Sequence, residues 1–360
     1  MTPQPHDDLN GARVLVTGGA GFLGTAIRAA LTRAGAMPLL LDNLSAYGPT
    51  TLTLLGTGPG DLQLTVGDIC DEHLVGSLVA DADYVVHAAA HSSVHGCTAE
   101  PATAVRSNLT GTDTVLRAVA AARRVRRFVL LSTAQVYGHG APHAARPEQA
   151  ESFTEDQPLD PLNIYANSKL WAEGHTRQIL GTAGCDFTIL RPFSVYGPGQ
   201  VPKPGAASWV VAQFTMYAAL GQQLLLNNGG HQVRDFLFRD DAAEAVVRCL
   251  TAPAAAGQTL NVGTGIPTAV REVAAHIRAR FPDAEVVDAP RVAQDPLGAC
   301  ADTTRMRRVL GWSPRVAVAD GIARYVEWVR STPNSIPDWM RGETSASRIN
   351  AWRPPAPSPL

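Results

Sequence analysis

Short, continuous apolar runs alternate with helical patterns along the first half of this chain, and that alternation most narrows what it can fold into. ARVLVTG (12–18), PLLLD (38–42), VVHAAA (85–90), FVLLS (128–132) and FTILR (187–191) read as strands without a polar face. Leu23 to Ala34 and Thr103 to Ala122 read as helices between them. A strand that is apolar all round needs cover on both faces, and intervening helices supply it while keeping successive strands parallel. The expected fold class is α/β, a doubly wound parallel sheet. No internal repeat is visible.

The alternation breaks where Pro and Gly crowd residues 196–205, YGPGQVPKPG, and a second, smaller C-terminal lobe is expected to begin nearby. The boundaries read as 1–190 for the sheet domain, with 235–262 returning to it, 191–234 and 263–330 for the smaller lobe, and 331–360 for a Pro-rich tail. RDFLFRDDAAEAVVRCL (234–250) reads as a strand and helix heading back to the sheet. The tail is expected to be flexible or to dock on a partner, with Trp339 and Trp352 as anchors. A net charge of -2 over 360 residues argues against nucleic acid as a partner. The arginines at 123, 124, 126 and 127 read as the end of a helix, where cations suit the macrodipole. No apolar run reaches the roughly 20 residues of a membrane span. The polar N-terminus argues against a signal peptide. Five dispersed cysteines read as reduced thiols, so the expected localisation is cytoplasmic.

VLVTGGAGFLG (14–24) places Gly18, Gly21 and Gly24 between a strand and the start of a helix, with Phe22 and Leu23 among them. Glycines there allow a tight turn and let backbone N–H groups approach a pyrophosphate at the helix N-terminus. That context makes the sheet Rossmann-type and the ligand a dinucleotide. Asp42 ends the second strand, 18 residues after Gly24, where a carboxylate accepts the adenosine ribose hydroxyls and repels a 2′-phosphate. Asn43, Leu44 and Ser45 bring no arginine, so the cofactor reads as NAD rather than NADP. Asp68, beside Ile69 in VGDI, closes a third strand where the adenine amino group is read. Ala88, Ala89 and Ala90 end a fourth strand with side chains small enough for close approach.

Tyr165 and Lys169 are spaced to share one helix face, downstream of Ser132 and Thr133. Free tyrosine has a pKa of about 10, and lowering it to about 7 takes roughly 4 kcal/mol. A lysine ammonium together with a charged nicotinamide ring can supply that.

The chain resembles the extended short-chain dehydrogenase/reductases, the NAD-dependent epimerase/dehydratase family, and among them the UDP-glucose 4-epimerase-like members. The resemblance runs from Arg13 to about Trp328. Its motifs are GGAGFLG, DNLS, GDI, HAAA, SNLTGT, LSTAQVYG, YANSK, RPFSVYGPGQ, RDF, LNVGTG and ADTTRMRRVLGW. It implies that Thr133, Tyr165 and Lys169 are catalytic, with Tyr165 as the base. It implies cofactor contacts at Asn108, Ser132 and Phe193, and substrate contacts at Ser92, Ser194, Arg234, Arg291 and Ala299, Arg291 standing one position off the usual register. The substrate would be a nucleotide sugar bound by the smaller lobe, and the protein a homodimer using the helix of Tyr165, with Ala166, Leu170 and Ala172 suited to close packing or to burial within one chain.

The resemblance also sorts reactions. Dehydratases of the family carry an acidic pair after the threonine, whereas Ala134 and Gln135 stand here. The decarboxylases carry Glu there too. Glucuronate epimerases often carry Arg where Val201 stands. Ser194 replaces a common Asn, and Ala299 falls where a size-limiting Tyr often lies, so a bulky C2 substituent would fit. The implied reaction is 4-epimerisation of a neutral UDP- or dTDP-hexose, with a dehydratase, decarboxylase or 4-ketoreductase as the alternative. A non-catalytic dinucleotide-binding regulator is disfavoured by the retained Thr133, Tyr165 and Lys169. His87, His91 and His95 lie on a strand running into a loop and read as core or loop histidines, not as metal ligands. The run from His139 to His143 reads as a mobile loop over the substrate.

Overall fold

The structure, a computed structural model, describes residues 9–58, 60–139, 151–203, 209–290 and 298–342. Seven parallel strands form the central sheet: β1 (Arg13–Thr17), β2 (Met37–Asp42), β3 (Leu64–Val66), β4 (Tyr84–His87), β5 (Arg127–Leu131), β6 (Phe187–Pro192) and β7 (Thr259–Val262). Their spatial order is 3-2-1-4-5-6-7, the order of a Rossmann-type fold. The order reverses between β1 and β4, where Thr17 pairs with His87. Ligands of open α/β sheets bind in the crevice that such a reversal opens beyond the strand ends.

The apolar strands are covered on both faces, as expected. Val14 and Val16 face one way, into a core with Ile27 and Leu31 of helix α1 (Phe22–Arg33) and Val246, Val247 and Leu250 of the helix Arg239–Thr251. Leu15 faces the other way, into a core with Val75, Val79, Leu116, Val119 and Leu180. Alternation along β1 thus feeds two cores from one strand. A third cluster gathers Tyr196, Phe214, Phe236, Phe238, Ile277, Ile322 and Tyr325.

Several local expectations change. Residues 103–122 are not one α-helix: Val105–Gly111 is π-helical between two α segments. A Cβ on Gly111 would meet Ile69 Cδ1 at 2.4 Å, so the wound-out turn sits against the β3 loop. In the 234–250 segment the helix Arg239–Thr251 returns to the sheet as expected, but the strand Phe236–Phe238 pairs with Ser194–Tyr196 outside the central sheet, which the chain rejoins later as β7. Arg127 ends no helix of its own. It is buried, and its guanidinium donates to the carbonyls of Cys249 (2.9 Å) and Ala252 (2.5 Å), closing a different helix. The start of the tail is not a free arm: Met340 is fully buried and Trp339 packs beside it on the third cluster. Trp352 lies outside the described residues.

Candidate active site

The crevice is built by the residues that follow the strands. Gly18, after β1, has φ +71°, and a Cβ there would lie 2.7 Å from Ala89 N and 2.9 Å from Ala88 C. Only glycine lets the β1 and β4 ends come this close. A Cβ on Gly24 would lie 2.1 Å from Gly18 O, so the third glycine seats α1 on the turn. Gly21 caps α1 without a side-chain bond, and the first turn has no acid. Phe22 lies half-exposed, with the Arg239 guanidinium 5.5 Å above its ring. Leu23 packs on the sheet core.

Asp42 faces this turn. Its Oδ2 accepts from Ala20 N (3.0 Å) and its Oδ1 from Leu44 N (2.8 Å). Two of about four lone-pair sites remain for other donors. Burial pushes its pKa up, partly offset by these two bonds and by the charge of Lys203. Asn43 bonds Asp68, whose Oδ1 accepts from Cys70 N (2.8 Å). Ile69 turns its side chain into the core. The bare glycine turn, the uncapped helix start and the part-used carboxylate fit a dinucleotide.

The reacting end lies across the crevice. Asn163 caps the long helix Ile164–Ala183 by accepting from Ala166 N (2.9 Å), and Gly184 ends it in the left-handed conformation. Tyr165, Lys169 and Glu173 succeed one another at four-residue intervals on its inner side. Thr133 is buried after β5, and its hydroxyl bonds the Tyr165 phenol. Ala88, Ala89 and Ala90 are half-buried, and Ala89 N donates to Thr17 Oγ1 (3.3 Å). Ser92 is exposed.

The expected depression of the Tyr165 pKa is not produced by the chain alone. Burial drives it up, to about 12, the Cys97 thiol adds to that, and Thr133 opposes it. Lys169 is 3% exposed, and burial drives its pKa down to about 8, while the Glu173 charge props it up. The lysine is thus held by Glu173, a residue that sequence reasoning missed, although it continues the same helical stripe. Glu173 is fully buried and accepts from Ser132 Oγ (2.7 Å), Arg191 Nε (2.8 Å), Arg191 Nη2 (2.7 Å) and Arg177 Nη2 (3.1 Å). Burial pushes its pKa up, but the two arginines and Ser132 outweigh this and keep it below the usual carboxylate range. The Ser132 hydroxyl therefore points at Glu173.

Asn108 sits in the π-helical turn and bridges Ser168 Oγ (2.9 Å) and the His91 carbonyl (3.2 Å). His87 is fully buried between Thr17 Oγ1 (2.7 Å) and Thr112 Oγ1 (3.0 Å). Burial, aided by the Lys169 charge, pushes it down to about 3, so it is neutral. Among the described residues, no cluster of His, Cys, Asp and Glu could hold a metal ion.

The residues expected to hold substrate are gathered by Asp235, which sequence reasoning missed although it stands in RDF. Asp235 is 1% exposed, and its carboxylate accepts from Thr264 N (2.8 Å), Thr264 Oγ1 (2.6 Å), Gly265 N (2.9 Å) and Ala301 N (3.0 Å). Its carbonyl accepts from Ser194 N (2.9 Å), and Arg234 precedes it. Ser194, Arg234 and the strand Ala299–Ala301 are thereby brought to one place. Ala299 shares a small cluster with Phe193, Ala134 and Tyr137, next to Thr133. Gln135 is exposed and accepts from Asn163 Nδ2 (3.2 Å). Ala166 and Ala172 are buried within the chain, which removes them from any surface between subunits. Arg291, and the loop after His139, lie outside the described residues. No helix among the described residues is long and apolar enough to cross a membrane.

The chain is similar to known proteins in sequence and in fold. The NAD dependent epimerase/dehydratase family matches residues 14–263. A UDP-glucose 4-epimerase of Mycolicibacterium smegmatis is 33% identical over 323 residues, spanning 89% of this chain and 99% of that protein. A dTDP-glucose 4,6-dehydratase of Streptomyces niveus is 34% identical over 332 residues, spanning 88% and 93%. Among solved structures, the UDP-glucose 4-epimerase of Thermus thermophilus in complex with NAD superposes with a TM-score of 0.77 at 28% identity, covering 89% of this chain and 99% of that one.

Proposed function

This chain belongs to the NAD-dependent epimerase/dehydratase family, and on that premise we propose that it is a nucleotide-sugar 4-epimerase acting on a UDP- or dTDP-hexose. The family's cofactor is NAD, and the glycine turn and Asp42 are the residues that would hold it. Held there, NAD would supply the hydride acceptor and donor for C4 of the sugar. Thr133 holds the 4-hydroxyl, and Tyr165, as tyrosinate, removes its proton and later gives it back. The Lys169 ammonium, with the positive ring charge that bound NAD would supply, would bring the Tyr165 pKa down from the high value that burial sets. Glu173 keeps the Lys169 ammonium charged, and Asn108 holds the backbone of the crevice wall. Arg234 meets the diphosphate of the sugar nucleotide with a fork of donors.

The observation that carries the choice of reaction is Gln135. Elimination of water needs an acid and a base beyond Tyr165, and the side chain after Ala134 is an amide tied to Asn163. It neither gives nor takes a proton, which favours hydride return to the 4-keto sugar over elimination. A dehydratase is the second reading, favoured by the Streptomyces niveus relative. The expected homodimer would rest on Val105, Ile164 and Trp171, which are large, apolar and exposed at 50%, 37% and 37%. Incubation of the purified protein with a panel of UDP- and dTDP-sugars, without added reductant and followed by NMR, tests the reading. A C4 epimer of unchanged mass supports it. Loss of water or carbon dioxide overturns it.

A further inference from the structure

We infer that Tyr137 is a positioning residue: its buried hydroxyl closes a circuit of hydrogen bonds that brackets Thr133 and fixes it against the helix carrying Tyr165 and Lys169. The inference rests on Thr133 and Tyr165 holding and moving the proton as proposed above, and is independent of which reaction follows.

The circuit begins one residue before Thr133. Ser132 Oγ donates to Glu173 Oε1 (2.7 Å) on the helix Ile164–Ala183. Glu173 also accepts from Arg191 of β6 through Nε (2.8 Å) and Nη2 (2.7 Å). The remaining arm of Arg191, Nη1, donates to Tyr137 Oη (2.8 Å). Tyr137 leads back to Thr133 through the 3-10 turn Ala134–Tyr137, in which Gln135 N donates to Thr133 Oγ1 (3.2 Å). Thr133 is thus tied to one carboxylate from both sides, on one through Ser132 and on the other through Tyr137 and Arg191. Ser132, Glu173, Arg191 and Tyr137 are all buried, so water does not compete for these bonds.

The hydroxyl has a fixed direction. Arg191 can only donate, so the Tyr137 proton points to Asn261 Oδ1 of β7 (2.7 Å). Burial raises the Tyr137 pKa against the pull of Arg191, which keeps the phenol a neutral donor. The aromatic ring is placed by packing: the Phe153 ring lies 4.8 Å away, centre to centre, and the Arg191 guanidinium 4.9 Å from its centre. Removing the oxygen alone therefore keeps the ring in place and opens the circuit, because the turn then has no bond to Arg191. Asn261 is fully buried, and its Nδ2 donates to the Phe153 carbonyl (2.6 Å). The strand Glu151–Phe153, which pairs with Ala299–Ala301, keeps that bond without the phenol. The loss should fall on Thr133 and not on the substrate side.

The test compares the wild type, Tyr137→Phe and Val246→Ala, the last opening a cavity in the sheet core outside the circuit. Amide hydrogen exchange over residues 133–138 is read by mass spectrometry on the NAD-loaded full chain. Steady-state kinetics are read on every UDP- or dTDP-sugar that the wild type turns over. The net worth of one hydrogen bond predicts exchange about tenfold faster in Tyr137→Phe. Its kcat should fall by about tenfold to a hundredfold with KM within about threefold, the mark of a misplaced reacting group and not of lost binding. Val246→Ala should lower stability to urea and leave exchange over 133–138 and kcat as in the wild type. Unchanged exchange in Tyr137→Phe overturns the proposal, and so does faster exchange with kcat kept. An equal rise in Val246→Ala also overturns it, by making the effect one of general stability. A wild type that turns over none of the sugars counts against the proposed reaction, and exchange then decides the circuit by itself.

Discussion

Replacing Glu173 by Gln keeps the shape of the side chain and removes one charge from the interior, and its consequence follows from the geometry around it. Glu173 is fully buried, and Arg191 is 2% exposed. At an effective dielectric of about 20, unit charges at the 2.7 Å separation of this pair attract by roughly 6 kcal/mol. The amide retains part of the hydrogen bonding, but Arg191 is left buried with an uncompensated charge. The expected loss is roughly 3–5 kcal/mol of unfolding free energy, read from urea denaturation at pH 7 with fluorescence and circular dichroism traces that coincide. The Glu173 pKa is depressed on folding, so its stabilisation is complete above the ordinary Glu value of about 4.3 and fades as pH falls through the lower, folded value. The gap between wild type and variant should therefore narrow only in acid. Adding Arg191→Met to Glu173→Gln should recover stability, since the lone charge is gone. A loss under about 1 kcal/mol, the worth of an exposed pair, would refute the reasoning. So would a double variant whose loss is the sum of the two single losses.

Tyr165→Phe should abolish turnover while the purified protein still carries NAD, measured by extraction and chromatography; measurable turnover would remove Tyr165 as the base. Gly18→Ala should lose NAD and at least about 2 kcal/mol of stability, because the new Cβ meets backbone at 2.7 Å in a left-handed conformation. Lys169 has a folded pKa lowered from 10.5 to about 8, so its burial costs stability below about pH 8, and the cost disappears as pH rises toward 10.5. Lys169→Met should therefore lose activity yet be more stable than wild type at pH 7, by up to roughly 3 kcal/mol, with the difference shrinking between pH 8 and 10.5 in urea titrations.

Much of the fold was legible because its signals are local. β1, β4 and β5 announce themselves as unbroken apolar runs, and a strand buried on both faces has no other pattern available. The glycine turn was legible for the same reason: Gly18 occupies a backbone conformation and a contact distance that other residues do not tolerate. The π-helical turn at Val105–Gly111 was not, since it is stabilised by Asn108 reaching Ser168 and the His91 carbonyl, partners far along the chain. The packed start of the tail was missed likewise, because Met340 finds its cover only on the third cluster.

The site divides in the same way. In the sequence, a helical period puts Tyr165 and Lys169 on one helix face, and the family resemblance adds Thr133 and the roles proposed for all three. The sequence determined the parallel sheet and the dinucleotide turn as well. Tertiary structure alone decided which charges surround those groups. Glu173 is held ionised by Arg191 from β6 and Arg177 from its own helix, Asp235 gathers Ser194, Arg234 and Ala299, and Lys203 comes to lie over the Tyr47 ring. Electrostatic effects depend on distance through space and on burial, and neither is written in the order of residues along the chain.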